Sequence, residues 1–77
     1  MPKLPRLSGH DLIKILSQFG FLKKRQKGSH VILIKETKYE KVGCVVPLHD
    51  ELETGTIRGI LRQAKISRDD FLKLFKK

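Results

Sequence analysis

The chain has 77 residues, enough for one domain near the lower size at which an apolar core suffices without disulfide or metal staples. Its single cysteine excludes an intrachain disulfide and a cysteine-rich zinc site. Against 8 acidic residues stand 17 lysines and arginines, a formal charge of +9, which favours nucleic acid, an anionic membrane or an acidic protein as partner.

Residues 1 to 7 carry two prolines and little periodicity, and read as a partly ordered leader. Met1-Pro2-Lys3-Leu4-Pro5-Arg6 lacks the apolar centre of a signal peptide, and no stretch approaches the about 20 apolar residues of a membrane span. The expectation is a cytoplasmic protein with no membrane partner. Ser8-x-x-Asp11 is a capping box with Asp in the usual Glu position. Leu12, Ile13, Leu16 and Phe19 follow at helical spacing, and Gly20 is placed to end the helix in the left-handed conformation. His10 falls in the first turn and reads as an exposed surface residue.

Phe21 to Gln26 reads as a first strand and Ser29 to Glu36 as a second. Between them lies Arg25-Gln26-Lys27-Gly28-Ser29-His30, where Gly28 takes positive φ without a Cβ penalty. Alternation puts Lys23 and Arg25 on one face. A two-residue loop at Lys27-Gly28 would set Arg25 across from His30, whereas a bulge at Gly28 would shift that register by one residue. The result expected is an imidazole among cations at the mouth of a hairpin, a place to meet a phosphodiester.

Thr37 to Glu40 is polar and predicts a turn. Lys41 to Val46 reads as a third strand, ended by Pro47, which cannot continue a ladder. Cys44 within it reads as a buried small hydrophobe. Val31-Ile32-Leu33-Ile34 is apolar on both faces, so helices on one side of the sheet would leave an apolar outer face for self-association or partner docking. After an acidic interruption, His49-Asp50-Glu51-Leu52-Glu53, either Thr54 or Thr56 is expected to cap a second helix. Its core stripe is Ile57, Ile60, Leu61 and Ala64, with Arg58, Arg62 and Lys65 on another face, suited to phosphates or an acidic partner. Ser67-x-x-Asp70 caps a last short helix in which Phe71, Leu72 and Phe75 offer apolar contacts. The order predicts an α+β fold, a three-stranded antiparallel sheet with helices packed on one face.

The Gly-Ser-His run with its basic approach resembles the signature of HicA-type (YcfA-like) toxins, small mRNA interferases. Val46-Pro47-Leu48-His49 and Gly55-Thr56-Ile57-Arg58-Gly59-Ile60-Leu61-Arg62-Gln63-Ala64 agree, in order and at compatible spacing. The resemblance runs from about Ser8 to Ala64, and residues 67–77 extend beyond the shortest family members. It implies a double-stranded-RNA-binding-domain-like fold, a catalytic role for His30, an mRNA substrate and a HicB-type acidic antitoxin.

RNA cleavage requires the 2′-hydroxyl deprotonated, the departing oxygen protonated and the phosphorane charge offset. Histidine serves either proton-transfer role near neutral pH, and neighbouring cations bind the phosphate. His30 is therefore the candidate catalytic residue and Arg25, Lys27, Ser29, Arg58 and Arg62 are candidate RNA-binding residues. His49, at a strand exit, is a candidate second acid or base, with pairing to Asp50 or capping of backbone groups as its structural alternative. No metal or other cofactor is expected, because the histidines at 10, 30 and 49 lack ligand spacing. Ser29 is a poor nucleophile for a His30 base, since adjacent strand residues point to opposite faces. Two rival functions fit the charge: a non-catalytic RNA-binding module of double-stranded-RNA-binding type and a small basic DNA-binding regulator.

Overall fold

The computed structural model describes residues 6–74. Most of the expected leader, together with Phe75, lies outside the described residues. Helix α1 (Gly9–Gln18) starts as its sequence dictates: the Asp11 N–H donates to Ser8 Oγ (3.0 Å) and the Ser8 N–H to Asp11 Oδ2 (3.2 Å). Gly20, at φ 98°, ends it. The Phe21 N–H donates to the Leu16 carbonyl and the Gly20 N–H to that of Ser17, a Schellman closure with both Leu16 and Phe21 buried. Leu12 and Leu16 are fully buried, while Ile13 and Phe19 are only half-buried. Phe19 falls short of the burial its spacing predicts because it occupies the C-cap, where the chain turns away.

Strands β1 (Leu22–Lys27), β2 (His30–Glu36) and β3 (Lys41–Pro47) form one antiparallel sheet in the order β1-β2-β3. The inner face presents Val31 and Leu33 from β2 and Val42, Cys44 and Val46 from β3, all buried. Helices α1 and α2 (Thr54–Gln63) pack against β3 on that side, and Ile57, Ile60, Leu61 and Ala64 close the core. Every residue of β1 is exposed, so the helical layer stops short of that strand. This is the α+β arrangement of double-stranded-RNA-binding domains.

Several local expectations are corrected. The loop between β1 and β2 is Gly28-Ser29, not Lys27-Gly28, so Lys27 rather than Arg25 stands across from His30. Gly28 has φ 61°, and among the described residues the non-glycine with positive φ is Lys65. Positive φ at the first loop position only is the pattern of a type II′ hairpin turn. The register shift lies between Lys23 and Arg25, where Lys24 is the extra residue. It puts Lys23 opposite Leu33 and Arg25 opposite Ile32, so those two cations belong to opposite faces. Accordingly, Lys23 Nζ donates to Gln26 Oε1 (3.1 Å), not toward Arg25.

Pro47 lies inside β3 as its last residue, opposite His30. The next donor toward β2 is the Leu48 N–H, bonded to the Ser29 carbonyl (2.7 Å), so the Pro47 nitrogen faces the free edge and no ladder bond is lost. At the same edge the Val45 N–H donates to Gln63 Oε1 (3.3 Å). Neither Thr54 nor Thr56 caps α2. Its N-cap is Glu53, without a side-chain cap bond, and both threonines already lie in the first turn. Leu7 also departs from the leader reading: it is buried, and its carbonyl accepts from the Leu52 N–H (2.7 Å). Helix α3 (Arg68–Lys73) is capped by Ser67, whose hydroxyl accepts from the Asp70 N–H (3.1 Å), and it buries Phe71.

Candidate active site

The Gly28-Ser29 turn delivers His30 as the first residue of β2, exposed, with Lys27 across from it on one side and Pro47 on the other. Opposed residues share a face, and closing pairs of this kind lie about 5.5 Å apart at Cα. Arg25, opposite Ile32, is the diagonal neighbour of His30, within about 8 Å. Arg25, Lys27 and His30 thus share the outer face. The turn sets this grouping, since Lys27 opposes His30 and Arg25 follows two residues back on the same face; the bulge at Lys24 turns only Lys23 away from it.

His49 follows two residues after Pro47 and is exposed, and its carbonyl accepts from the Gly9 N–H (2.9 Å). The structure therefore brings His49 to the same end of the sheet as the Gly28-Ser29 turn. His10, beside Gly9, reaches that end as well and is exposed. Gly9 makes the juncture feasible: a Cβ there would run into the Pro47 carbonyl oxygen and Leu48 Cα, both backbone atoms. Nothing in the sequence marks Gly9 for this. It reads there as the first helical residue after a cap. The Gly28-Ser29 turn does have a local signal, which the Lys27-Gly28 reading passed over: Gly followed by a small polar residue is a type II′ pair.

Arg58 and Arg62 are exposed on α2, at a different margin of the molecule. The C-terminal part of α2 runs beside β3 away from His30, since Gln63 meets Val45 and Lys65 Nζ meets Glu40 Oε1 at 2.7 Å. Lys65 is thereby drawn into an ion pair and out of the cationic stripe expected with the two arginines. Among the described residues no cluster of three His, Cys, Asp or Glu side chains is arranged to hold a metal ion. Burial pushes the Cys44 thiol up to about 11, which keeps it protonated and unreactive near neutral pH.

Residues 9–66 match the family model described as HicA toxin of bacterial toxin-antitoxin. The chain belongs to the HicA toxin family. The matched span holds all the candidate site residues, from Arg25 to Arg62, and ends just before α3. Membership in a HicA family carries a toxin role within a toxin–antitoxin system and, with it, an antitoxin partner. No curated protein and no solved structure matched the chain. Among the described residues, no helix is long and apolar enough to cross a membrane.

Proposed function

We propose that this HicA-family chain is an endoribonuclease toxin that cleaves mRNA in the cytoplasm without a metal ion, with His30 as its catalytic histidine. The observation that carries the reading is the placement of an exposed imidazole on an open sheet face beside Lys27 and Arg25. In this mechanism the phosphodiester lies along the basic hairpin. His30 takes the proton of the 2′-hydroxyl, whose oxygen attacks phosphorus. The 5′-oxygen leaves with a proton from a second group. His49, at the same end of the sheet, is the proposed donor. Lys27 and Arg25 offset the charge that builds on the phosphorane, and Ser29 contributes polar contact at the turn. Arg58 and Arg62 bind flanking phosphates at the α2 margin. A HicB-type acidic antitoxin holds the enzyme inactive.

Replacing His30 by Ala tests the assignment. The variant is expected to stay folded and bind RNA with the same steep salt dependence, yet to lose cleavage both with and without a chelator. A fully active His30→Ala removes the central assignment, and wild-type activity abolished by chelator alone removes the metal-free mechanism. Wild-type binding without any cleavage would favour the non-catalytic RNA-binding reading.

A further inference from the structure

At the end of the outer sheet face away from His30 opens a cavity of about 300 Å³, room for one planar ring and its sugar. Leu22, 73% exposed, and Ile34 oppose each other across β1 and β2 and form its apolar wall. Lys23, Lys24 and Lys41 stand around it with Glu36, the cross-strand partner of Lys41. That pairing does not join the two charges. Among the described residues the Glu36 carboxylate makes no ion pair or side-chain hydrogen bond, so its oxygens are open to a ligand.

We propose that this cavity binds one unpaired nucleobase of the RNA strand engaged at His30, with Glu36 as the residue that selects guanine. The inference rests on the proposed reading of the chain as an RNA-cleaving enzyme and adds a specificity subsite to it. Charge decides the class of occupant. Three cations against one acid around the cavity, in a chain of +9, favour a polyanion. Lys27, Arg25 and Lys24 follow one another along β1 from the His30 end to the cavity, a cationic track for the intervening phosphates. Ile34 and His30 are four residues apart on β2, about 13 Å. A stacked strand, at about 3.4 Å per nucleotide, covers that distance in about four nucleotides, and an unstacked one in fewer.

Chemistry then decides the base. Leu22 and Ile34 offer an apolar surface to a ring face, and a carboxylate accepts hydrogen bonds without donating any. Guanine presents two adjacent N–H donors on its Watson–Crick edge, which the two Glu36 oxygens can accept together. Uracil presents a lone N–H between two carbonyl oxygens, and these repel a carboxylate. A stacking surface for a neighbouring base stands at the same end of the sheet. Tyr39, 89% exposed, lies in the turn that joins Glu36 to Lys41. Thr37 Oγ1 fixes that turn by accepting from the Tyr39 N–H (3.2 Å) and the Glu40 N–H (3.0 Å).

The test measures binding of uncleavable 2′-O-methyl strands by fluorescence anisotropy. One strand is an oligouridine, and the other is the same strand with a single uridine replaced by guanosine. The guanosine is expected to tighten binding by the wild type about tenfold, the scale of a bidentate base contact. Glu36→Gln, whose amide has one acceptor oxygen in place of two, is expected to bring the two affinities together. Glu53→Gln removes the same charge at the start of α2 and should keep the preference. Both positions are exposed, and each variant's oligouridine affinity serves as its own reference. The Leu22 and Ile34 methyl resonances should shift when the guanosine strand is added. Equal or undetectable wild-type binding of the two strands overturns the inference. So does a guanosine preference that Glu36→Gln retains, or Leu22 and Ile34 methyls that respond only to a protein partner. A wild-type chain that fails to cleave RNA defeats the proposed function, while the uncleavable strands still report on the cavity.

Discussion

The two faces of the sheet are built from the same four residues of β2, and their fates differ. Val31 and Leu33 point inward and are about 1% exposed, while Ile32 and Ile34 point outward and stay half-exposed. Chemistry does not separate the pairs, since all four are large aliphatic side chains. The difference is the layer opposite: α1, α2 and the Leu7 and Leu52 segments cover one side, and among the described residues no element covers the other. The inner face makes the fold. The outer face, which includes His30 and its cations, is left available for partners.

This contrast sets the largest expected effect. Leu33→Ala should cost about 2–5 kcal/mol, because it removes transfer energy and leaves a cavity beneath the helices. Ile32→Ala, its neighbour on the other side, should cost only about 1 kcal/mol, the scale of a cross-strand pair with partial burial. Equal losses in urea unfolding would show that the outer face is covered in the isolated chain.

A second comparison probes how the helical layer is fastened. Gly9→Ala should destabilise by about 1–3 kcal/mol, since the new methyl meets the backbone of Pro47 and Leu48, which cannot yield without moving α1. Gly59→Ala, in α2 with nothing within 4 Å of its Cβ, should instead stabilise by up to about 1 kcal/mol through helix propensity. A neutral Gly9→Ala would mean that α1 is not held against the β3 exit. His49 resonances should shift in Gly9→Ala and stay in place in Gly59→Ala.

The smallest effect concerns the start of that layer. Ser8→Ala should cost about 1 kcal/mol by opening the capping box of α1. The bond from the Ser8 N–H, then that from the Ser8 hydroxyl, holds the Asp11 carboxyl below its ordinary 3.8. A depressed folded pKa means that the carboxylate's contribution is complete above the unfolded value and is lost as pH falls through the folded one. Acid titration should therefore weaken the wild type more than Ser8→Ala below about pH 4. Parallel acid curves would show that the Ser8 hydroxyl adds nothing to the depression, since the Ser8 N–H bond to the carboxylate is present in both chains.

The helix stripes, both serine caps, the Gly20 stop and the three strands were readable in the chain because each depends on residues within a turn or two of one another. Leu12 with Leu16, Ile57 with Ile60 and Leu61, and Ser67 with Asp70 carry their own local geometry. Pairing register is different in kind. Only the requirement that Val31 and Leu33 face the helices, acting through a II′ turn at Gly28-Ser29, decides that Lys27 rather than Arg25 opposes His30. The bulge at Lys24 then turns Lys23 to the opposite face and brings Leu22 to the imidazole's face, which alternation alone would not predict. In the same way, the meeting of His49 with the Gly28-Ser29 end depends on how closely Gly9 lets α1 approach β3. That distance is set by backbone packing between segments nearly forty residues apart, about which no local pattern carries information.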